Sequence, residues 1–182
     1  TENGKLILNN DVTLSGHIRE AQQTTLSNGA TLNIKGGTLD LVGTNDVWNG
    51  IIEMTDSAST MNYTNLSHGT TNGKLTATLG KLNILGTELK IATDSTISSD
   101  VVTKLSSGAT LNITGGTVDI NSGDVWQGTV LLSNGILTYN DLTSNGKLTA
   151  SGGVLNVSSG TLTIGGESEI ADAVQIIRLA LE

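Results

Sequence analysis

The chain has 182 residues, a net charge of −8, and no proline, cysteine or phenylalanine. Nine lysines and arginines do not supply a basic patch, so binding to nucleic acid or to an anionic bilayer is not expected. The sequence contains no run of about 18 apolar residues, so no inserted membrane helix is expected. With 2% aromatic residues, the core must be built from aliphatic side chains.

The first segment with chemically mixed side chains is GHIRE, where His17 and Arg19 precede Glu20. A histidine beside a carboxylate is a common starting point for acid–base chemistry. We favour the alternative interpretation, a solvated loop near the N terminus. The chain contains no HExxH, GxSxG or P-loop motif and no Cys–His spacing, so we predict neither catalysis nor a metal or cofactor site.

A long phrase then occurs twice. SNGATLNIKGGTLDL at residues 27–41 returns as SSGATLNITGGTVDI at residues 106–120, and NGKLTA also occurs in both halves. The sequence therefore predicts two long units, about 5–84 and 85–166, within one repetitive domain that covers residues 1–168.

Shorter phrases within each unit consist of a Gly or Asn-Gly turn and a brief alternation of apolar and polar residues, which is typical of short β-strands. Equivalent phrases recur about every 18 to 23 residues, the length of one turn of a parallel solenoid. We therefore predict an all-β fold, a right-handed parallel β-helix. Two inward columns are expected: Leu39, Met61 and Leu82, and Val118, Leu137 and Leu155.

Both tryptophans lie in a repeated motif, Asp46-Val47-Trp48-Asn49-Gly50 and Asp124-Val125-Trp126-Gln127-Gly128. A surface tryptophan beside an aspartate can stack on a sugar ring and hydrogen-bond to it, so Trp48, Trp126, Asp46 and Asp124 are candidate ligand-binding residues. The alternative is a packing role at a corner of each unit. Recurrence at the same place in both units favours the packing role, because a repeated unit retains above all the residues that its fold requires.

Outward acidic residues follow the repeated glycines. Asp40 and Asp119 would bind calcium only if further carboxylates stood beside them in the next turn. Their expected neighbours there are Asn62 and Thr138, which carry no charge. We therefore expect no strong calcium site.

The C-terminal segment ESEIADAVQIIRLALE changes its pattern. Its apolar residues fall at i, i+3, i+4, i+7 and i+11, with acids first and Arg178 near the end, which is typical of an amphipathic helix. We predict such a helix over residues 169–182. It would cover the open end of the solenoid. Calcium-loop carboxylates do not precede it, so a dockerin-like module is rejected.

The phrases GATLNIKGGTLDL and GKLTATLGKLNI resemble the β-helical passenger domains of autotransporters and filamentous-haemagglutinin-like bacterial surface adhesins. The resemblance extends over residues 5–166. It implies an extracellular location at the cell surface and adhesion as the commonest activity. It supplies no catalytic motif.

Three classes of function remain for such a fold. A polysaccharide lyase or hydrolase needs paired acids or a basic catalyst on consecutive turns, and no such set is apparent. An ice-binding surface needs ranks of threonine, whereas the outward positions are mixed. We expect a non-catalytic surface rod, an adhesin or a spacer, whose partners would be a host glycan, a matrix protein or neighbouring copies. The alternative is a polysaccharide-binding or polysaccharide-degrading β-helix protein.

Overall fold

The computed structural model describes residues 5–19, 23–41, 46–64, 73–140, 142, 146–159 and 161–178. Every regular element within these ranges is a β-strand, and each strand pairs in parallel with its neighbours. In chain order the strands are β1 (Lys5–Leu8), β2 (Val12–Leu14), β3 (His17–Ile18), β4 (Gln23–Leu26), β5 (Thr31–Ile34), β6 (Thr38–Leu41), β7 (Val47–Trp48), β8 (Ile51–Met54), β9 (Thr60–Tyr63), β10 (Lys74–Ala77), β11 (Gly80–Ile84), β12 (Thr87–Ile91), β13 (Thr96–Ile97), β14 (Val101–Leu105), β15 (Ala109–Ile113), β16 (Thr117–Asn121), β17 (Val125–Trp126), β18 (Thr129–Leu132), β19 (Ile136–Asn140), β20 (Lys147–Ala150), β21 (Val154–Ser159), β22 (Glu169–Ile170) and β23 (Gln175–Arg178).

These strands form four sheets. Sheet A is β1-β4-β7, sheet B is β2-β5-β8-β10-β13-β16-β19-β21-β23, sheet C is β3-β6-β9-β11-β14-β17, and sheet D is β12-β15-β18-β20-β22. Successive strands visit A, B and C in the early turns and D, B and C in the later turns, so sheets A and D occupy the same place in the turn. The predicted parallel β-solenoid is confirmed. Nine strands at a spacing of about 4.8 Å give sheet B a length of about 40 Å.

One column of inward side chains runs unbroken through sheet B, with one member from each strand. Each member is paired in register with the residue one turn earlier, and the central members are almost completely buried. The column is Leu14, Ile34, Met54, Ala77, Ile97, Val118, Leu137, Leu155 and Ile176. Its side chains differ in size, so the core tolerates different aliphatic residues as long as the register holds.

The two inward columns expected from the spacing are both present. Met61 pairs with Leu39 on one side and with Leu82 on the other, and all three are fully buried. Val118, Leu137 and Leu155 form part of the column in sheet B. Since successive residues along each strand alternate between inward and outward, the intervening polar side chains face the outside of the solenoid.

The second unit continues the solenoid without a break, but it is rotated by one face. The strands β4 and β7 lie in sheet A, whereas their counterparts β14 and β17 lie in sheet C; likewise β6 and β9 lie in sheet C and their counterparts β16 and β19 in sheet B. A unit is therefore not a whole number of turns. As a result, outward residues at equivalent positions of the two units lie on different faces of the solenoid.

The prediction of a C-terminal helix is wrong over the described residues 169–178. They form β22, a turn and β23, which pair in parallel with β20 and β21. Within the predicted apolar stripe, Val174 is buried but Ile177 is exposed, so the stripe does not share one face. The edges of β20 and β21 provide hydrogen-bond partners for the backbone of this segment. That pairing overrides the helical pattern of its side chains. Residues 179–182 lie outside the described residues.

A buried column can be tested by truncating one of its members. We expect Leu82→Ala to lower the free energy of unfolding by about 2–5 kcal/mol, because it leaves a cavity between neighbouring turns. Thr76→Ala on the outer side of sheet B should change it by less than about 1 kcal/mol. Chemical denaturation of both variants provides the measurement, and equal effects would contradict the assigned faces.

Candidate ligand-binding face

The candidate tryptophans are inside the solenoid. Trp48 is 2% exposed and Trp126 is 3% exposed, and the indole Nε1 of each donates a hydrogen bond to the carbonyl oxygen two residues later, at 3.0 and 3.1 Å. Neither indole presents a face to a sugar, so the stacking role proposed for them is corrected. The burial supports the alternative, a packing role at the same place in each unit.

The chain has four aromatic residues, and the remaining two, Tyr63 and Tyr139, are also buried. Trp48 packs edge-on against Tyr63 with ring centroids 6.3 Å apart. The hydroxyl groups of Tyr63 and Tyr139 donate to backbone carbonyl oxygens at 3.0 and 3.1 Å. A ligand on the outer surface would therefore find no aromatic side chain on which to stack.

The repeated phrase NGKLTA is explained by the same tryptophans. A Cβ atom added at Gly73 would lie 2.3 Å from Nε1 of Trp48, and one added at Gly146 would lie 2.2 Å from the ring of Trp126. Only glycine leaves room for an indole that reaches across from the preceding turn. The Trp motif and the NGKLTA phrase are therefore two halves of one packing contact.

The candidate aspartates are buried as well, and they join neighbouring turns. Oδ1 of Asp46 accepts the backbone N–H of Thr24 at 2.8 Å, and Oδ1 of Asp124 accepts that of Thr103 at 2.7 Å. Oδ2 of Asp124 also accepts the N–H of Asn121 at 2.9 Å. These contacts give the two carboxylates a structural role, because they satisfy backbone donors that would otherwise be buried.

Burial raises the pKa of the Asp124 carboxyl from 3.8 to about 6. The main cause is desolvation of the charged form, and the backbone N–H groups of Asn121 and Thr103 oppose it. The carboxyl is therefore half-protonated near pH 6 while it remains inside the protein.

An aligned row of polar side chains lies outside, on sheet C. We call Asp40, Asn62 and Asn83 the amide–carboxylate ladder, because they stand in register on three successive strands. Nδ2 of Asn83 donates to Oδ1 of Asn62, and Nδ2 of Asn62 donates to Oδ1 of Asp40, both at 2.7 Å. The side chains hold one another in orientation, and Lys104 follows in the next strand.

The N-terminal cluster is only partly assembled. His17 lies in β3, where it is paired in register with Thr38, and its Nε2 is 2.7 Å from Oδ2 of Asp40, the first residue of the ladder. The expected solvated loop is therefore a strand at His17, although the side chain is exposed. Arg19 is exposed next to it, and Glu20 lies outside the described residues.

The expected neighbours of the repeated aspartates are confirmed. Asp40 pairs with Asn62 and Asp119 pairs with Thr138. The two aspartates lie on different faces, in sheets C and B, because the second unit is rotated. Among the described residues, no group of three His, Asp or Glu side chains is placed to hold a metal ion.

A shallow groove on the outer face of sheet B was not predicted. It has a volume of about 350 Å³ and is lined by Asp11, Val12, Thr13, Thr31, Asn33 and Glu53. Nδ2 of Asn33 lies 3.4 Å from Oε2 of Glu53, and Oδ1 of Asp11 accepts the N–H of Thr31 at 2.9 Å. Nothing in the sequence indicated that Asp11 and Glu53 lie near each other, because they are two turns apart.

Comparison of the chain with protein-family models, with curated proteins and with solved structures finds no match. The part of the chain that the structure describes also has no helix long and apolar enough to cross a membrane. The site must therefore be interpreted from its own geometry.

The raised pKa of Asp124 predicts how stability depends on pH. Between about pH 4 and pH 6 the folded protein binds a proton more tightly than the unfolded chain, so this group's contribution to stability falls as the pH rises. The free energy of unfolding loses at most about 3 kcal/mol from this group, because its folded and unfolded pKa values differ by about two units. Asp124→Asn cannot titrate, so wild type should lose stability relative to this variant over that range.

Thermal or denaturant unfolding between pH 3.5 and pH 7 would measure this difference. Asp100→Asn, which removes an exposed carboxylate, is the control for the change in net charge. A stability difference between wild type and Asp124→Asn that grows in favour of wild type as the pH rises would contradict the assignment.

Proposed function

We propose that the chain is a non-catalytic segment of an extracellular bacterial surface rod, acting as an adhesin or as a spacer. One observation carries the proposal: the aromatic side chains and the aspartates of the two tryptophan motifs, Asp46 and Asp124, are buried and join one turn to the next. Only extended outer faces are left for contact with other molecules. The resemblance of the repeated phrases to autotransporter and haemagglutinin-like passengers supports the same function.

The adhesive form of the proposal assigns contact to the outer face of sheet C. There the amide–carboxylate ladder runs beside a second row of outward residues, Thr38, Thr60 and Lys81. Amide, hydroxyl and carboxylate groups at a spacing of about 4.8 Å suit the hydroxyl groups of an extended glycan. A right-handed coil, the hand that right-twisted parallel strands favour, is part of this proposal.

The groove on sheet B favours the alternative function, a polysaccharide-binding or polysaccharide-degrading protein. Asp11 and Glu53 place two carboxyl groups at one concave surface, and a pair of acids is what glycoside hydrolysis requires. Asp11 is hydrogen-bonded to the backbone and Glu53 lies beside the amide of Asn33, so both acids also have structural partners. For this reason we rank it second.

Binding to immobilised glycans and matrix proteins would test the adhesive function. We expect the double variant Asn62→Ala/Asn83→Ala to lose about tenfold or more of the affinity for any ligand that wild type binds, since two hydrogen-bonding side chains are removed. Asn112→Ala, an outward asparagine on sheet D, is the matched control and should bind like wild type.

The same preparations distinguish the remaining outcomes. A ligand bound equally well by wild type and the double variant would refute the assignment to sheet C. Release of shorter saccharides, lost on Asp11→Asn or Glu53→Gln, would overturn the non-catalytic function in favour of the alternative. If the folded protein binds none of the immobilised glycans and none of the matrix proteins, the result would favour the spacer over the adhesin.

A further inference from the structure

The outer face of sheet C carries an excess of positive charge, although the chain has a net charge of −8. Lys81 of β11 and Lys104 of β14 project outward, and both side chains are exposed. Among the outward strand residues of sheet C that the structure describes, the only acid is Asp40, and its carboxylate already accepts hydrogen bonds from His17 and Asn62. Two lysines of this face are therefore not balanced by an acid.

Neither lysine forms an ion pair within the described ranges. The ion pairs found there involve other cations: His17 with Asp40, Lys74 with Asp94, and Lys147 with Glu167. Asp100, in the turn before β14, and Asp124, just before β17, belong to none of these pairs. The carboxylate of Asp124 is buried and accepts backbone N–H groups. The ammonium groups of Lys81 and Lys104 thus face solvent without a carboxylate partner from this part of the chain.

The two lysines lie at opposite corners of a group of four outward residues. Lys81 is paired in register with Val102, and Asn83 is paired with Lys104. We call these four residues the lysine cell. One strand spacing of about 4.8 Å and two residues of about 3.3 Å each place the two lysine Cβ atoms about 8 Å apart. Because each ammonium group is carried on a flexible four-carbon stem, both can reach one anion above the centre of the cell.

The other two corners of the lysine cell also suit an anionic ligand. Nδ2 of Asn83 donates one N–H to Oδ1 of Asn62 at 2.7 Å, which fixes the orientation of the amide, and its second N–H can be donated to a ligand. The side chain of Val102 is 46% exposed and has no polar atom. It offers an apolar contact surface to the C–H groups of a sugar ring.

The lysine cell continues the amide–carboxylate ladder. Asn83 belongs to both, and Lys104 follows the ladder in the next strand. The strands β11 and β14 are interior strands of sheet C, with β9 on one side and β17 on the other, so the surroundings of the cell are described. One extended ligand can therefore contact the ladder through its hydroxyl groups and the cell through an anionic group. Two ammonium groups are too few for the many phosphate contacts by which nucleic acids are bound.

We propose that the lysine cell binds a carboxylate of an acidic polysaccharide, one built from uronic acids. The inference rests on the adhesive form of the proposed function and names the ligand class of its face. The carboxylate accepts hydrogen bonds from Lys81, Lys104 and the second N–H of Asn83, and hydroxyl groups of the same chain lie along Asn62 and Thr60. Charge-assisted hydrogen bonds at an exposed surface supply the preference for acid, so salt weakens it.

Oligogalacturonate and its fully methyl-esterified form test the site, because the two ligands differ only in the charged group. We expect wild type to bind the acid form about tenfold more tightly or better in calorimetric titration, and to lose the preference at about 1 M salt, where the Debye length is about 3 Å. The variant Lys81→Gln/Lys104→Gln should bind both forms alike. Lys35→Gln/Lys90→Gln, which removes two exposed lysines elsewhere, has the same net charge and should keep the preference.

The outcomes separate this inference from the proposed function. Equal binding of acid and ester by wild type, lost in Asn62→Ala/Asn83→Ala, would overturn the ligand class and leave the contact face on sheet C. An acid preference that survives in Lys81→Gln/Lys104→Gln, or no binding of either form, would also overturn the lysine cell as a uronate site. A sulfated oligosaccharide bound in place of galacturonate, or a polyglutamate peptide bound as tightly, would replace the uronic acid with a sulfate or the saccharide with an acidic polypeptide.

Discussion

The whole structure depends on one constraint, the in-register parallel stacking of each turn on the turn before it. Every interior strand must donate and accept backbone hydrogen bonds on both edges, so every inward side chain stands directly on its counterpart one turn earlier. The column through sheet B shows the consequence, since nine strands contribute one aliphatic residue each. The absence of proline follows from the same constraint, because proline has no N–H to donate.

The buried polar groups serve this stacking. Asp46 and Asp124 accept N–H groups of the preceding turn, and the indoles of Trp48 and Trp126 require glycine in the following turn. These contacts are repeated in both units although the units use different faces of the solenoid. Repetition therefore preserves contacts between turns and does not produce one continuous outer surface. For this reason the proposed contact face is the local ladder on sheet C and not the repeated motif.

Much of the fold could be predicted from the sequence, because the spacing of similar phrases indicates the register in which the strands pair. The columns around Met61 and Leu137 followed directly from positions about one turn apart. The helix did not form because its periodicity was a local signal, whereas the edges of β20 and β21 offered backbone pairing that only the folded neighbours reveal. A segment too short to show its repeat clearly is the hardest to assign.

The site was less predictable for a related reason. Alternation indicates which side chains point outward, and it placed Asp40 beside Asn62 correctly. Whether an aromatic residue in a strand of only two residues, such as Trp48 in β7, faces the core depends on the space that a distant residue leaves. Gly73 provides that space for Trp48 from the next turn, and a motif taken by itself does not show it. The groove between Asp11 and Glu53 likewise spans two turns and depends on the exact register.

The register can be measured most directly with the two methionines as probes. In protein labelled at methionine, leucine, isoleucine and alanine methyl groups, nuclear Overhauser contacts should link the Met61 methyl to Leu39 and Leu82. They should link the Met54 methyl to Ile34 and Ala77, since these residues pair one turn before and one turn after. Contacts of either methionine with residues displaced by one or more positions, or only with residues close to it in sequence, would contradict the in-register parallel stack.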